Sequence, residues 1–170
     1  SDRNPKQIVR DVESVCAALY GVILDHRKVS VAQVDEEEPG SGGGDGTRLQ
    51  IFSIQLEDTE GETRVRVQLQ VHDALYEGIA VGPARRANLA RLCAVAALSA
   101  VEEFLQGSCH FIVEDAVGLR VSGGDVVLVA TTMVNSEGEE VLLGAVVSRG
   151  SVADAAVRAA LDSLNRRLDR

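Results

Sequence analysis

Two groups of charged side chains have the types and spacing needed to bind a small anion. Arg85 and Arg86 follow a Gly-Pro turn and precede a long apolar segment, so both guanidinium groups fall at the start of a predicted helix. Free backbone N–H groups favour a carboxylate or phosphate there, although cations at this end oppose the helix dipole. Asp25, His26 and Arg27 form a second charged cluster, which is either a contact for an acidic ligand or a solvated turn.

Other short motifs lack the partners that known sites require. His72-Asp73 ends a predicted strand without the further His and Asp ligands of a metal-dependent phosphohydrolase. Cys109 and His110 are adjacent, so they point to opposite faces of a strand and lack the spacing of a four-ligand zinc site. The glycine-rich segment 40–46 follows four acidic residues and has no Lys followed by Ser or Thr, unlike a phosphate loop. The sequence therefore predicts no catalytic residues, no metal site and no cofactor.

The net charge argues against nucleic acids and membranes as partners. The chain has 170 residues and a formal charge of −9, with 45% hydrophobic but only 3% aromatic residues. Negative charge repels phosphate backbones and anionic lipids, and no apolar run approaches the roughly 20 residues of a spanning helix. Three widely spaced cysteines and the lack of a signal-peptide pattern favour a reduced, cytoplasmic protein, and the composition favours a bacterial one.

Hydrophobic periodicity predicts a single α+β domain over 1–170, with two βββα pseudo-repeats preceded by an αβ extension. The extension, 1–34, has a helix over 5–20 and a strand over 28–34, and an acidic, glycine-rich mobile loop over 35–47 follows it. Predicted strands cover 48–57, 63–72, 75–81, 110–121, 125–134 and 140–148, and predicted helices cover 85–105 and 151–168. We expect a mostly antiparallel sheet with the helices on one face.

An internal duplication would account for this pattern, although any two Ala-rich amphipathic helices could align equally well. The units 48–106 and 107–170 each end in an Ala-rich helix, and these helices align when Ala94 is matched with Val157. The strand before each helix contains a glycine, Gly78 or Gly144, which favours close approach of the helix to the sheet.

The tandem arrangement and the last helix, whose residues 160–168 read Ala-Leu-Asp-Ser-Leu-Asn-Arg-Arg-Leu, resemble the regulatory dimer domain of the 2-isopropylmalate synthase family. The similarity covers at most residues 48–170 and includes no catalytic motif and no effector residue. The resemblance implies a dimer and a small effector at its interface. Residues 3–34 instead resemble the opening of uncharacterised bacterial proteins.

Three functions remain open from the sequence. Strands over 125–134 and 140–148 are apolar on both faces, and one helical layer covers only one of them. We therefore expect a non-catalytic regulatory or scaffold module that forms a homodimer through apolar sheet strands or helices. One alternative is an enzyme with a site at a subunit interface, near Glu114, Asp115 or His110. The other is a double-stranded RNA-binding module, which the net charge disfavours.

Overall fold

The computed structural model describes residues 29–32, 49–121 and 124–168, together with Arg10 and Ser14. The strands are β1 (Val29–Ala32), β2 (Gln50–Thr59), β3 (Glu62–Val71), β4 (Ala74–Pro83), β5 (His110–Val121), β6 (Gly124–Asn135) and β7 (Gly138–Ser148). The helices are α1 (Arg86–Phe104) and α2 (Val152–Leu168). Arg10 and Ser14 are helical, as expected, whereas the rest of the predicted first helix and the loop at 35–47 lie outside the described residues.

The strands form two sheets that correspond to two βββα units. β2, β3 and β4 make an antiparallel sheet in that order, and α1 completes the first unit. β5, β6 and β7 make a second antiparallel sheet, and α2 completes the second unit. β1 extends the second sheet by pairing in parallel with β7. The predicted α+β class and its pseudo-repeats are confirmed.

Helix α1 lies at the centre of the molecule. It packs against β3 and β4 of its own unit, and also against α2 and β5 of the other unit. Its side chains between Leu92 and Val101 are buried apart from Val95 and Ser99. The small alanine side chains on both helices allow the backbones to approach closely. Their burial also costs little side-chain conformational entropy. No helix among the described residues is long and apolar enough to cross a membrane.

The duplication extends to single backbone positions. Gly78 of β4 lies against the backbone of Ala96 in α1, and Gly144 of β7 lies against the backbone of Ala159 in α2. The alignment of the two helices in the sequence places Ala96 and Ala159 at the same position. The same close contact therefore recurs in both units, and it explains why each of these strands has glycine there.

Each unit also has a β-bulge in its first strand. The pairing of β2 with β3 shifts between Ile51 and Ser53, and that of β5 with β6 shifts between Val113 and Asp115. When the two units are aligned on Gly78 and Gly144, the two bulges fall at the same position along the first strand of each sheet. A bulge bends and twists its strand, so both sheets are curved at corresponding points.

Candidate functional site

The arginine pair singled out in the sequence lies at the exposed start of α1. Arg85 precedes the first turn with an extended backbone and makes no side-chain capping hydrogen bond, and Arg86 is the first helical residue. Arg91, further along the helix, donates to the carbonyl oxygens of Val113 at 2.6 Å and Glu114 at 2.9 Å. Arg91 therefore ties α1 to β5, whereas Arg85 and Arg86 are exposed at the start of the helix. The cluster at 25–27 lies outside the described residues.

A row of polar side chains crosses the surface of the first sheet that points away from α1. We call this surface the first outer face. Gln68 of β3 accepts a hydrogen bond from the Ser53 hydroxyl at 2.8 Å and donates one to Glu77 at 3.1 Å. Glu77 is also paired with Arg66, at 3.4 Å. These contacts link all three strands, so the polar side chains are held in a fixed arrangement.

Large apolar side chains flank this polar row. Phe52, at the bulge, is 59% exposed, and Ile79 and Val81 of β4 are 42% and 47% exposed. Leu75 is exposed at the other end of β4. The sequence analysis did not identify this surface, although the alternation of β4 contains the signal. The small residues Gly78 and Ala80 face the helix, so their neighbours Ile79 and Val81 must face outward.

The corresponding face of the second sheet differs in composition and exposure. It carries an apolar cluster of buried residues, namely Val121, Val126, Leu128, Leu143 and Ala145. Position 145 corresponds to Ile79, but Ala145 is fully buried whereas Ile79 is not. The expectation that β6 and β7 are apolar on both faces is confirmed. Because the second face is already buried within one chain, it does not require a second subunit.

The carboxylates at 114 and 115 mark the bulge in β5. Glu114 accepts a hydrogen bond from the Thr132 hydroxyl at 2.8 Å, and Asp115 accepts one from the backbone N–H of Ala116 at 2.9 Å. The neighbouring Thr131 is fully buried, and its hydroxyl has no hydrogen-bond partner among the described residues. Both carboxylates therefore accept hydrogen bonds that stabilise the bulge.

The two described thiols, Cys93 and Cys109, lie apart from each other in environment and chemistry. His110 Nδ1 lies 3.9 Å from Glu102, and Cys109 precedes it in a half-buried position. Burial in α1 raises the pKa of the Cys93 thiol to about 12, so it remains protonated and is a poor nucleophile at neutral pH. No group of three potential metal ligands occurs in the part of the chain that the structure describes.

Two comparisons, one with protein families and one with curated proteins, found no relative of this chain. No protein-family model matches the sequence, and a search of the curated proteins found no match. The resemblance to the regulatory domain of 2-isopropylmalate synthases therefore stays a prediction.

Proposed function

We propose that this chain is a non-catalytic, oligomerising regulatory or scaffold module that forms a homodimer through its first outer face. The main support for this proposal is the contrast between the outer faces of the two sheets, which occupy equivalent places in the two units. The face of the second sheet is apolar and buried within the chain, whereas the first outer face exposes Phe52, Leu75, Ile79 and Val81. Apolar side chains grouped around a fixed polar row are typical of a protein interface.

The charges of the first outer face favour a second copy of the chain as the occupant. Arg64 and Arg66 lie on β3, Glu57 lies beside Arg64 on β2, and Glu77 lies beside Gln68 on β4. A two-fold axis that lies in the interface, parallel to the strands and between β3 and β4, brings β3 of one copy over β4 of the other, so that Arg66 approaches the acidic side chain of Glu77. The same surface can therefore serve both partners.

The size of the first outer face predicts a weak dimer. Three paired strands of ten residues span roughly 33 Å by 14 Å. This area is smaller than the roughly 800 Å² per partner of a standard stable interface. We expect association in the micromolar range, which suits a module whose assembly responds to concentration or to a ligand.

Sedimentation velocity over a micromolar concentration range tests the dimer. The unmodified chain should sediment as a concentration-dependent dimer, and Phe52→Asp should shift it to the monomer because a charge replaces an exposed apolar contact. Val152→Asp is the matched control, since Val152 is also exposed but lies at the start of α2. A compact monomer at high micromolar concentration, or equal dissociation by both variants, would overturn the proposal.

The anion site predicted at the start of α1 has a separate test. Calorimetric titration with inorganic phosphate should give a binding signal that the double variant of Arg85 and Arg86 to Ala loses. Equal signals from both proteins, or none from either, would remove the ligand from the proposed function and leave the dimer unaffected.

A further inference from the structure

The free edge of β4 occupies the same place in the first unit as the edge of β7 does in the second. On β7 that edge is paired: β1 runs parallel to it, with Val29 opposite Leu143 and Ala32 opposite Val146. Counted from Gly144 and Gly78, the equivalent segment of β4 is 77–80. Among the strands that the structure describes, β4 pairs only with β3. The pairing of β1 with β7 in the second unit therefore indicates that the equivalent edge of β4 can pair with a parallel strand.

A carboxylate occupies part of the β4 edge. The backbone N–H of Glu77 donates to the Glu103 carboxylate of α1 at 2.7 Å, so this N–H points away from β3. Alternate residues of a strand direct their N–H groups the same way, so those of Ile79 and Val81 also face the free edge. In the helix alignment Arg166 occupies the position of Glu103, and a guanidinium cannot accept such a hydrogen bond.

We propose that the edge of β4, residues 77–81, accepts a parallel extended segment from a partner protein, and that Glu103 covers the first N–H until that segment binds. The segment carries small aliphatic side chains at alternate positions, as β1 does in the sequence Val-Ser-Val-Ala. Backbone hydrogen bonds of the new ladder supply affinity, as in other cases of strand addition.

A fluorescein-labelled peptide with the sequence of residues 27–34 is the probe, titrated with the full chain and followed by fluorescence anisotropy. Ile79→Pro removes one edge N–H, and we expect binding to weaken about fivefold or more, the effect of losing one ladder hydrogen bond. Proline is tolerated at an edge position whose N–H faces outward, so the sheet should persist. Glu103→Ala should strengthen binding, because it frees the N–H of Glu77.

Each variant has a matched control. Leu56→Pro places proline at the free edge of β2, at a residue of similar exposure, and should leave peptide binding unchanged. Glu102→Ala removes the neighbouring carboxylate, which accepts from Phe111 of β5 rather than from β4, and should also leave it unchanged. The titration is repeated with Phe52→Asp, which separates this edge from the proposed dimer and should bind the peptide equally well.

Two results would overturn the proposal. One is peptide binding that Ile79→Pro and Glu103→Ala leave unaltered, or no binding even with Glu103→Ala, since the edge of β4 is then not the acceptor. The other is a loss of peptide binding in Leu56→Pro equal to that in Ile79→Pro, because the effect is then not specific to the edge of β4.

Discussion

The sharpest prediction concerns the two glycines that let the helices lie close to the sheets. A Cβ atom added at Gly78 would overlap the carbonyl oxygen of Ala96 and lie 2.5 Å from the backbone nitrogen of Ala100. Ordinary van der Waals contacts begin at 3.4 Å, so α1 must move away by about 0.9 Å to relieve the second contact alone. Both atoms belong to the backbone, and no side-chain rotation can relieve the clash.

The loss of stability can be estimated from the contacts that a displacement of α1 would loosen. Helix α1 packs on both sheets and on α2, so moving it loosens contacts along its whole length in an interior packed at crystal density. Overpacking typically costs about 1–3 kcal/mol. A Cβ atom at Gly78 would clash with two backbone atoms of α1, so its cost should lie at the upper end of that range. We expect Gly78→Ala to lower the free energy of unfolding by about 3 kcal/mol.

The duplication supplies an internal replicate and the chain supplies a control. At Gly144 an added Cβ would overlap the Ala159 carbonyl oxygen and lie 2.7 Å from the Ser163 nitrogen, so Gly144→Ala should cost a similar amount. Gly118, also in a strand, has nothing within 4 Å of an added Cβ. Gly118→Ala should therefore be neutral or slightly stabilising. Urea denaturation followed by circular dichroism measures all three, and equal stability of Gly78→Ala and Gly118→Ala would refute the reasoning.

Three further predictions concern single side chains. Thr131→Val replaces a buried, unbonded hydroxyl with a methyl group and should raise the free energy of urea unfolding by about 1–2 kcal/mol; a lower value would imply that the hydroxyl has a partner. The pKa of Cys93 is raised from 9.0 to about 12, so only the unfolded thiol ionises between these values. Stability should fall above pH 9 by up to ~1.4 kcal/mol per pH unit, and pH-dependent melts of Cys93→Ala should lack this component. Arg91→Ala should destabilise the chain by about 1–2 kcal/mol and speed amide exchange in β5. Arg91→Lys should recover only part of this, because lysine lacks the planar fork whose two nitrogens reach the carbonyls of Val113 and Glu114.

Periodicity predicted the elements of the described fold well, and most clearly where a strand has one buried and one wet face. The alternation of β3, with Val65, Val67 and Leu69 buried between polar residues, determines both its class and its orientation. The matched glycines and Ala-rich helices predicted the duplication for a related reason, since close helix–sheet packing permits only small residues at the contact. These are local constraints that single positions express directly.

The candidate surface could not be predicted in the same way because it depends on which face is covered. β6 and β7 are apolar on both sides, and the sequence does not show that Leu128 and Leu143 are buried within the same chain. Likewise, exposure of Phe52 depends on a bulge, which shifts the register by one residue without a fixed sequence signature. The side chains of the first outer face come from three strands, so their proximity depends on strand register.

The parallel pairing of β1 with β7 has a consequence for the order in which the chain folds. Val29 pairs with Leu143, 114 residues further along, whereas β2, β3 and β4 are joined by short turns. Local pairings form at lower loop-closure cost than distant ones, so both three-stranded sheets precede the docking of β1. During synthesis β1 leaves the ribosome early, but it cannot pair until its partner strand β7 has been synthesised. In the folded protein it should be among the first segments to detach, and amide exchange in β1 should be faster than in β3 or β6.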